Sequence, residues 1–500
     1  MFNRLKKVVS GAVEGFEDAC NVHIQPMIQG TNHLPHKHEY SRPAFLHTSN
    51  EALSVAKDKK VRLILSTSGA QNSLENNAAY AECINAGKST YNEDMAQVYK
   101  GTLRCEKSQG KDDLHYSYYA IFDGHAGFGA ALDASKQLHH ILHQKLVDAQ
   151  DYILAAINIE NTSKYINDPN KKTVSVRDLI IGCLETSFCE MDEVIKESRY
   201  NYYNPGGCTA LVALIISGDL YVANAGDCRA GIVNGDTFVP MSNDFSPYYD
   251  KTRIYETAAS NTALLGDFYT VREFLEKPGK HDLGKNVLYK DPYMSGWSLK
   301  TLTSEDLLLP LVMGVGRRSR IMGTIGVARG FGDFDLTANL CKLPIKPLLS
   351  CVPEVKVHSL AELEDDAVFV MGSDGMWDAM DVNDVLAVCK QQRENHSVDA
   401  RNAHVYTALS LVGNARGKRD NASGMWLLKN QSTASMDDIT VFVVPLGAGS
   451  MMQIEEKSEA NGSTASDESM SDTTHPLSLS SSSNELIDID GQEVTPLTLL

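Results

Sequence analysis

The chain has 500 residues, 43 % hydrophobic and 22 % charged, with 46 basic residues against 64 acidic ones for a net charge of −18. That length is ample for one large domain or two to three ordinary ones, and the longest apolar runs, 210–216 and 307–315, are far too short to cross a bilayer. Net acidity without a basic stripe excludes a nucleic-acid partner, and ten scattered cysteines with no C-x-x-C pair exclude a disulfide scaffold or a zinc ribbon.

In chain order, Phe2, Leu5, Val8, Val9, Ala12, Val13 and Phe16 recur at helical spacing. At about 100° per residue they fall within an arc of roughly 140°, with Arg4, Lys6 and Lys7 outside it. The spacing predicts an amphipathic helix over 1–16, whose apolar face suits a membrane surface, the chain's own domain or a partner protein. A secretory signal is not expected, because no continuous apolar stretch with a small-residue cleavage site is present. The expected location is therefore cytoplasmic, peripheral on a membrane if the helix docks there. Residues 17–40, which contain several His and Pro, read as a linker.

Residues 41–450 then read as the main folded domain. Short apolar or alternating runs predict strands at 118–122, 209–216, 220–223, 230–233, 237–241, 367–371 and 439–444. Ser217-Gly218-Asp219 and Asn234-Gly235-Asp236 between consecutive runs are hairpin signals, so the pairing is antiparallel. Helical patterns occupy 130–149, 176–197, 382–391 and 403–411. Hairpins mixed with helices that cannot all be crossovers predict an α+β fold, an antiparallel β-sandwich flanked by α-helices. Cysteines inside 181–184 and 385–389 read as buried reduced thiols. Residues 244–321 form a long insertion with little regular pattern. The last fifty residues, 451–500, hold about ten acidic side chains against Lys457, with a serine run and few aromatics, and read as a disordered tail.

The acids fall at strand ends. Asp123 closes the run 118–122 and precedes Gly124-His125, Asp374 follows 367–371 and precedes Gly375, and Asp227 follows 220–223. Asp437-Asp438 opens the last strand, and Glu93-Asp94 adds a pair near the start. A single Asp beside Gly is ordinarily a turn or cap residue. If the sheets bring these ends together, the carboxylates repel one another unless divalent cations neutralise them. All-oxygen ligation suits Mg²⁺ or Mn²⁺.

Six motifs then match a family in order. Phe122-Asp123-Gly124-His125-Ala126-Gly127, Gly206-Gly207-Cys208-Thr209-Ala210, Asn224-Ala225-Gly226-Asp227-Cys228-Arg229, Ala328-Arg329-Gly330-Phe331-Gly332-Asp333, Ser373-Asp374-Gly375-Met376-Trp377-Asp378 and Asp437-Asp438-Ile439-Thr440-Val441 resemble the signatures of the metal-dependent protein serine/threonine phosphatases of type 2C. The resemblance spans about residues 80–446 and implies a two-metal site at one end of the sandwich. By motif, Asp123 bridges both metals, the Gly124 carbonyl holds one, Asp374 and Asp437 the other, Glu93 and Asp94 act mainly through water, and Asp227 helps hold a weaker third. Asp333 and Asp378 match conserved acids outside the direct ligand set. Two such cations generate hydroxide for in-line attack on phosphoserine or phosphothreonine, and His125 is placed to protonate the leaving oxygen.

Two departures stand out. Ser89 occupies the position where the family has an Arg for the substrate phosphate, so Lys88, a point charge without a fork, takes that role. The chain also offers both Asp420-Asn421 and Asp437-Asp438 for the final acidic motif, and the strand that follows favours Asp437. Ser41-Arg42-Pro43-Ala44-Phe45-Leu46, Asn85-Ala86-Gly87-Lys88-Ser89 and Gly296-Trp297 resemble the H/J/M subgroup, whose enlarged flap corresponds to 244–321. The subgroup implies phosphorylated small GTPases of the Rab type among the phosphoprotein substrates, with Arg253, Asp267 and Trp297 of the flap as recognition residues. The competing reading is a pseudophosphatase that binds phosphoproteins or scaffolds them at membranes. Retention of the metal acids favours activity.

Overall fold

The computed structural model describes residues 40–48, 62–67, 74, 77–83, 91–104, 113–163, 174–202, 204–259, 280–289, 295–304, 310–338, 343–394 and 400–447. The expected helix over 1–16, all but the last residue of the linker and the acidic tail lie outside them, as do Lys88 and Asp267.

Two antiparallel sheets face each other. One contains β3 (Met95–Leu103), β4 (Leu114–Phe122), β7 (Ala210–Ile216), β8 (Asp219–Ala225) and β16 (Glu354–Ser359), in the order β16-β8-β7-β4-β3. The other contains β1 (Ile64–Ser66), β2 (Ala79–Cys83), β9 (Arg229–Asn234), β10 (Thr237–Pro240), β17 (Val368–Gly372) and β20 (Ile439–Pro445), in the order β1-β2-β20-β17-β9-β10. Ser217 and Gly218, with φ of 54° and 78°, close the β7–β8 hairpin through the left-handed conformation that a two-residue link needs.

Strand periodicity builds the layers. Along β4, Tyr119 and Ile121 point between the sheets while Tyr118, Ala120 and Phe122 point the other way. Along β20, Phe442 and Val444 face inward while Val441 and Val443 face outward. The inner residues form one apolar core with Tyr80, Leu211, Ile232, Phe369 and Met371. Because both faces of the central strands are apolar, each sheet needs a helical cover. The long helices α1 (Gly129–Ser163) and α2 (Val176–Ser198) bury Leu138, Leu146, Ile180 and Phe188 against the five-stranded sheet. A capping box between Ser175 and Asp178 starts α2. On the opposite face α5 (Val382–Glu394) and α6 (Ala400–Arg416) bury Val385, Val388, Leu411 and Val412 against the six-stranded sheet. The expected α+β sandwich flanked by helices is therefore the observed fold.

Two expectations need correction. Helix α1 runs past residue 149 to Ser163, because Ile153 and Ala156 continue its buried stripe. The insertion is also more regular than its sequence implies. It contains α3 (Lys251–Ala259), the hairpin β11 (Asn286–Tyr289) with β12 (Ser298–Thr301), and the pair β13 (Val312–Met313) with β14 (Arg320–Ile321). Strands of two to four residues are too short for alternation to register. The base of the insertion has its own core, in which Ile254, Ala258, Leu311 and Ile321 meet Leu348 and Leu349. No helix among the described residues is long and apolar enough to cross a membrane.

Candidate active site

At one edge of the sandwich, three two-residue strands form a small sheet in the order β15-β6-β5: β5 (Gly124–His125), β6 (Gly207–Cys208) and β15 (Phe331–Gly332). This sheet joins three of the six motifs. The Thr209 amide donates to the Asp123 carbonyl at 2.9 Å, and the Asp333 amide donates to the Gly206 carbonyl at 3.2 Å. Asp333 adopts φ 59°, a left-handed conformation that non-glycine residues keep only when their surroundings impose it. The consequence is a 2.8 Å contact between His125 Nε2 and Asp333 Oδ2, with the carboxylate buried and the imidazole one-third exposed. Gly207 has to be glycine, because a Cβ there would overlap the Asp333 carboxylate and the His125 ring.

The acids arrive from separate segments. Asp123 follows β4, and the Asp374 amide, at the start of the short helix α4 (Asp374–Trp377), approaches Asp123 Oδ2 at 3.4 Å. The Glu93 amide donates to Asp438 Oδ2 at 2.9 Å, which joins the Glu93-Asp94 and Asp437-Asp438 pairs. Close backbone approach completes the set: a Cβ on Gly124 would overlap the Glu93 carbonyl, and one on Gly375 would overlap the Asp438 carbonyl. Behind them, buried Arg42 forks onto Glu82, with Nε 2.9 Å from Oε1, and its Nη1 donates to the Asp94 carbonyl at 2.6 Å. Arg42 thus pins the segment that carries Asp94.

These carboxyls are held away from their ordinary acidity. Burial, then Asp374, Asp94, Asp437 and Asp227, pushes Asp123 well above the usual carboxylate range. Burial followed by Asp438 raises Asp94 to about 8, against the opposing hydroxyls of Thr440 and Ser373. Burial followed by Asp244 raises Asp227 to about 6, with Asp378 adding to it and His125 opposing. Burial lowers His125, but Asp333, with Asp227 and Glu93, outweighs it and leaves the imidazole above its normal value. Asp94 Oδ2 is buried with no hydrogen-bond partner among the described residues. Buried, mutually repelling oxygen donors with an unsatisfied acceptor are what a hard divalent cation relieves, so the residues fit Mn²⁺ or Mg²⁺. Among the described residues no three acidic, His or Cys side chains already converge closely enough to hold an ion.

Of the expected residues, Asp123, Gly124, His125, Glu93, Asp94, Asp227, Asp374 and Asp437 are thus brought to one region. Asp420 is not: its carboxylate caps its own turn through Ser423 in the β18 (Lys418–Arg419) to β19 (Trp426–Leu427) hairpin. Arg253, expected among the recognition residues, is half-buried and engaged by its own surroundings. Its guanidinium bonds Asp250 at 2.6 Å and the carbonyls of Ala328 and Leu348 at 2.8 and 3.0 Å, so it ties α3 to the chain beneath it. Trp297 is 49 % exposed on the hairpin of the insertion. Sequence reasoning missed three partners: Asp333 on His125, Arg42 behind Asp94, and Arg317. The last lies in the turn Gly316–Arg318 and donates to Asp378 Oδ1 at 2.8 Å and Asp244 Oδ2 at 3.0 Å. Only the non-glycine Asp333 directly after Gly332 carried a local signal.

A sandwich edge that gathers buried, mutually repelling acids beside a histidine held by a carboxylate has the donor set of hydrolases that work through divalent metals. A family model described as Protein phosphatase 2C matches residues 87–254 and 311–422, more than half of the chain. The chain is 37 % identical over 435 residues to Protein phosphatase 1J of Rattus norvegicus, covering 82 % of this chain and 86 % of that protein. It is 34 % identical over 517 residues to Protein phosphatase 1H of Xenopus tropicalis, covering 90 % and 99 %. A solved structure, serine-threonine phosphatase 2C from Toxoplasma gondii, is 16 % identical with a TM-score of 0.40, over 73 % of this chain and 93 % of that one. The chain belongs to the Protein phosphatase 2C family and is a protein serine/threonine phosphatase. The gap between the two matched segments, 255–310, falls within the insertion. The family depends in general on Mn²⁺ or Mg²⁺, and its substrates are phosphoproteins.

Proposed function

We propose that Asp123, the Gly124 carbonyl, Asp374, Asp437, Glu93 and Asp94 hold two divalent cations, Mn²⁺ or Mg²⁺, and that Asp227 helps to hold a weaker third. When bound, such cations activate water as the nucleophile and neutralise charge on the phosphoryl oxygens during in-line displacement. The chain's own chemistry is proton delivery. A serine or threonine alkoxide is a poor leaving group, and His125 protonates it as general acid. With Nε2 engaged by Asp333, Nδ1 is the nitrogen left for this task. Lys88 attracts the substrate phosphate as a point charge.

The observation that carries this reading is the meeting of Asp123 with Asp374, and of Glu93 with Asp438, across four separate chain segments. Calorimetric Mn²⁺ titration of Asp123→Asn and Asp374→Asn, run beside manganese-dependent phosphate release from a phosphothreonine peptide, tests it. Both variants are expected to lose metal affinity and at least about a hundredfold in turnover while remaining folded. Metal affinity and turnover retained in either variant would sink the two-metal reading.

For substrates, we propose phosphorylated small GTPases of the Rab type, bound through the insertion. Support comes from the exposed Trp297, Leu288 and Leu299 on its hairpin, an apolar surface on an element that the chemistry does not need. For location, the amphipathic pattern over 1–16 supports a cytoplasmic enzyme peripheral on a membrane. Removing residues 1–16 should abolish liposome co-sedimentation and leave phosphopeptide turnover unchanged.

A further inference from the structure

The turn that carries Arg317 is held by buried contacts, while its side chain is half-exposed. Gly314 and Gly316, at φ 85° and 60°, shape the turn. Buried Ser319 pins it by accepting the Tyr248 amide at 2.9 Å and donating to the Gly316 carbonyl at 2.7 Å. From this base the Arg317 side chain, 48 % exposed, reaches Asp244 and Asp378. Asp378 sits one helical turn beyond Asp374, its amide donating to the Asp374 carbonyl at 2.8 Å. The half-exposed guanidinium therefore reaches the end of the short helix that begins at Asp374.

Neither resting partner holds it strongly. Asp244 already receives the fork of Arg229 at 2.5 and 2.7 Å, so Arg317 is its second cation. Asp378 is 60 % exposed, and exposed ion pairs contribute little. Four other described arginines are committed: Arg42 is buried on Glu82, Arg229 holds Asp244, and Arg253 and Arg329 both hold Asp250. A phosphate monoester offers a dianion with three acceptor oxygens, a better partner for a planar fork than a solvated carboxylate already shared.

We propose that Arg317 binds the phosphoryl group of the substrate, exchanging Asp378 and Asp244 for phosphate oxygens as the phosphoprotein enters. The proposal rests on the reading of the acid set as the reacting site. The test uses the full-length, manganese-loaded protein, with inorganic phosphate as inhibitor of para-nitrophenyl phosphate and phosphothreonine-peptide hydrolysis. Arg317→Ala is expected to raise the inhibition constant for phosphate, and KM for both substrates, by about tenfold. Arg317→Lys should recover only part, having no fork, and Arg318→Ala, the same charge change one residue along, should stay within about twofold. Asp378→Asn separates a ligand from a latch. Freed from its resting partner, Arg317 should bind phosphate at least as tightly as before, whereas a latch would make Asp378→Asn weaken phosphate as Arg317→Ala does. That result, or an unchanged phosphate constant in Arg317→Ala, would overturn the proposal. Full turnover in Asp123→Asn would instead overturn the reading of the site beneath it, so the two failures are distinct.

Discussion

His125 and Asp333 lie 208 positions apart, and their 2.8 Å contact fixes one ring nitrogen and therefore the aim of the other. Asp333 is in this sense a positioning residue. Asp333→Asn is expected to lower kcat on a phosphothreonine peptide by about 10- to 100-fold, and His125→Ala by more, since general acids contribute about 10²- to 10⁴-fold. Both losses should be much smaller on para-nitrophenyl phosphate, whose phenolate leaves without a proton. Steady-state kinetics on the two substrates check this, and equal losses would assign the pair a purely structural role. Behind the acids, Arg42 and Glu82 form a buried pair in which removal of one partner strands the other charge. Arg42→Ala should destabilise the fold by about 3–5 kcal/mol in denaturant unfolding, with weakened Mn²⁺ binding because the Asp94 carbonyl loses its donor.

Among the elements, the three-stranded mini-sheet carries a tight steric requirement. Gly207→Ala puts a methyl group into the space of the Asp333 carboxylate and the His125 ring, yet leaves the β6 hydrogen bonds intact. Lost peptide turnover with an unchanged thermal midpoint is the expected pattern, and wild-type turnover would show that the His125–Asp333 contact is dispensable. The insertion divides into two parts by the same reasoning. Its base is structural: Arg253 joins α3 to the Ala328 and Leu348 carbonyls, so Arg253→Ala should cost about 1.5–3 kcal/mol in stability, as lost hydrogen bonds to a charged group do. Its hairpin is exposed, so Trp297→Ala should lower kcat/KM on an intact phosphoprotein and spare para-nitrophenyl phosphate, remote contacts serving as positioning energy.

Across the molecule, the acid set makes stability depend on pH and metal together. Asp94 and Asp227 have folded values near 8 and 6, above the ordinary carboxylate value of 3.8. A folded value raised above the unfolded one means that the folded state binds the proton more tightly, so their contribution is complete below about pH 4 and is lost as pH rises through about 6 to 8. In chelator, the thermal midpoint of the protein should therefore carry a component that falls between about pH 4 and pH 8. Mn²⁺ at a hundred times its dissociation constant should add about 2.7 kcal/mol per site and remove that component. A midpoint in chelator that rises steadily across the same range would contradict the assignment of uncompensated carboxylates.

Much of this protein was legible in its residues, because the signals were local. The short apolar runs 118–122 and 439–444, the Ser217-Gly218 link and the strand-end acids each depend on a few neighbouring side chains, and they specified the sandwich and the acid set. What depended on sheet order was not legible. Strand β20 pairs with β2 and β17, and β17 with β9, none of them adjacent in sequence, and that order brings Asp437-Asp438 beside Glu93 while Asp420 remains in its hairpin. The same long-range packing tied Arg253 to Asp250, Ala328 and Leu348, gave His125 its carboxylate and set Arg317 over Asp378. A side chain's partner is decided by whichever distant segment the tertiary structure lays against it, and no spacing within one segment encodes that choice.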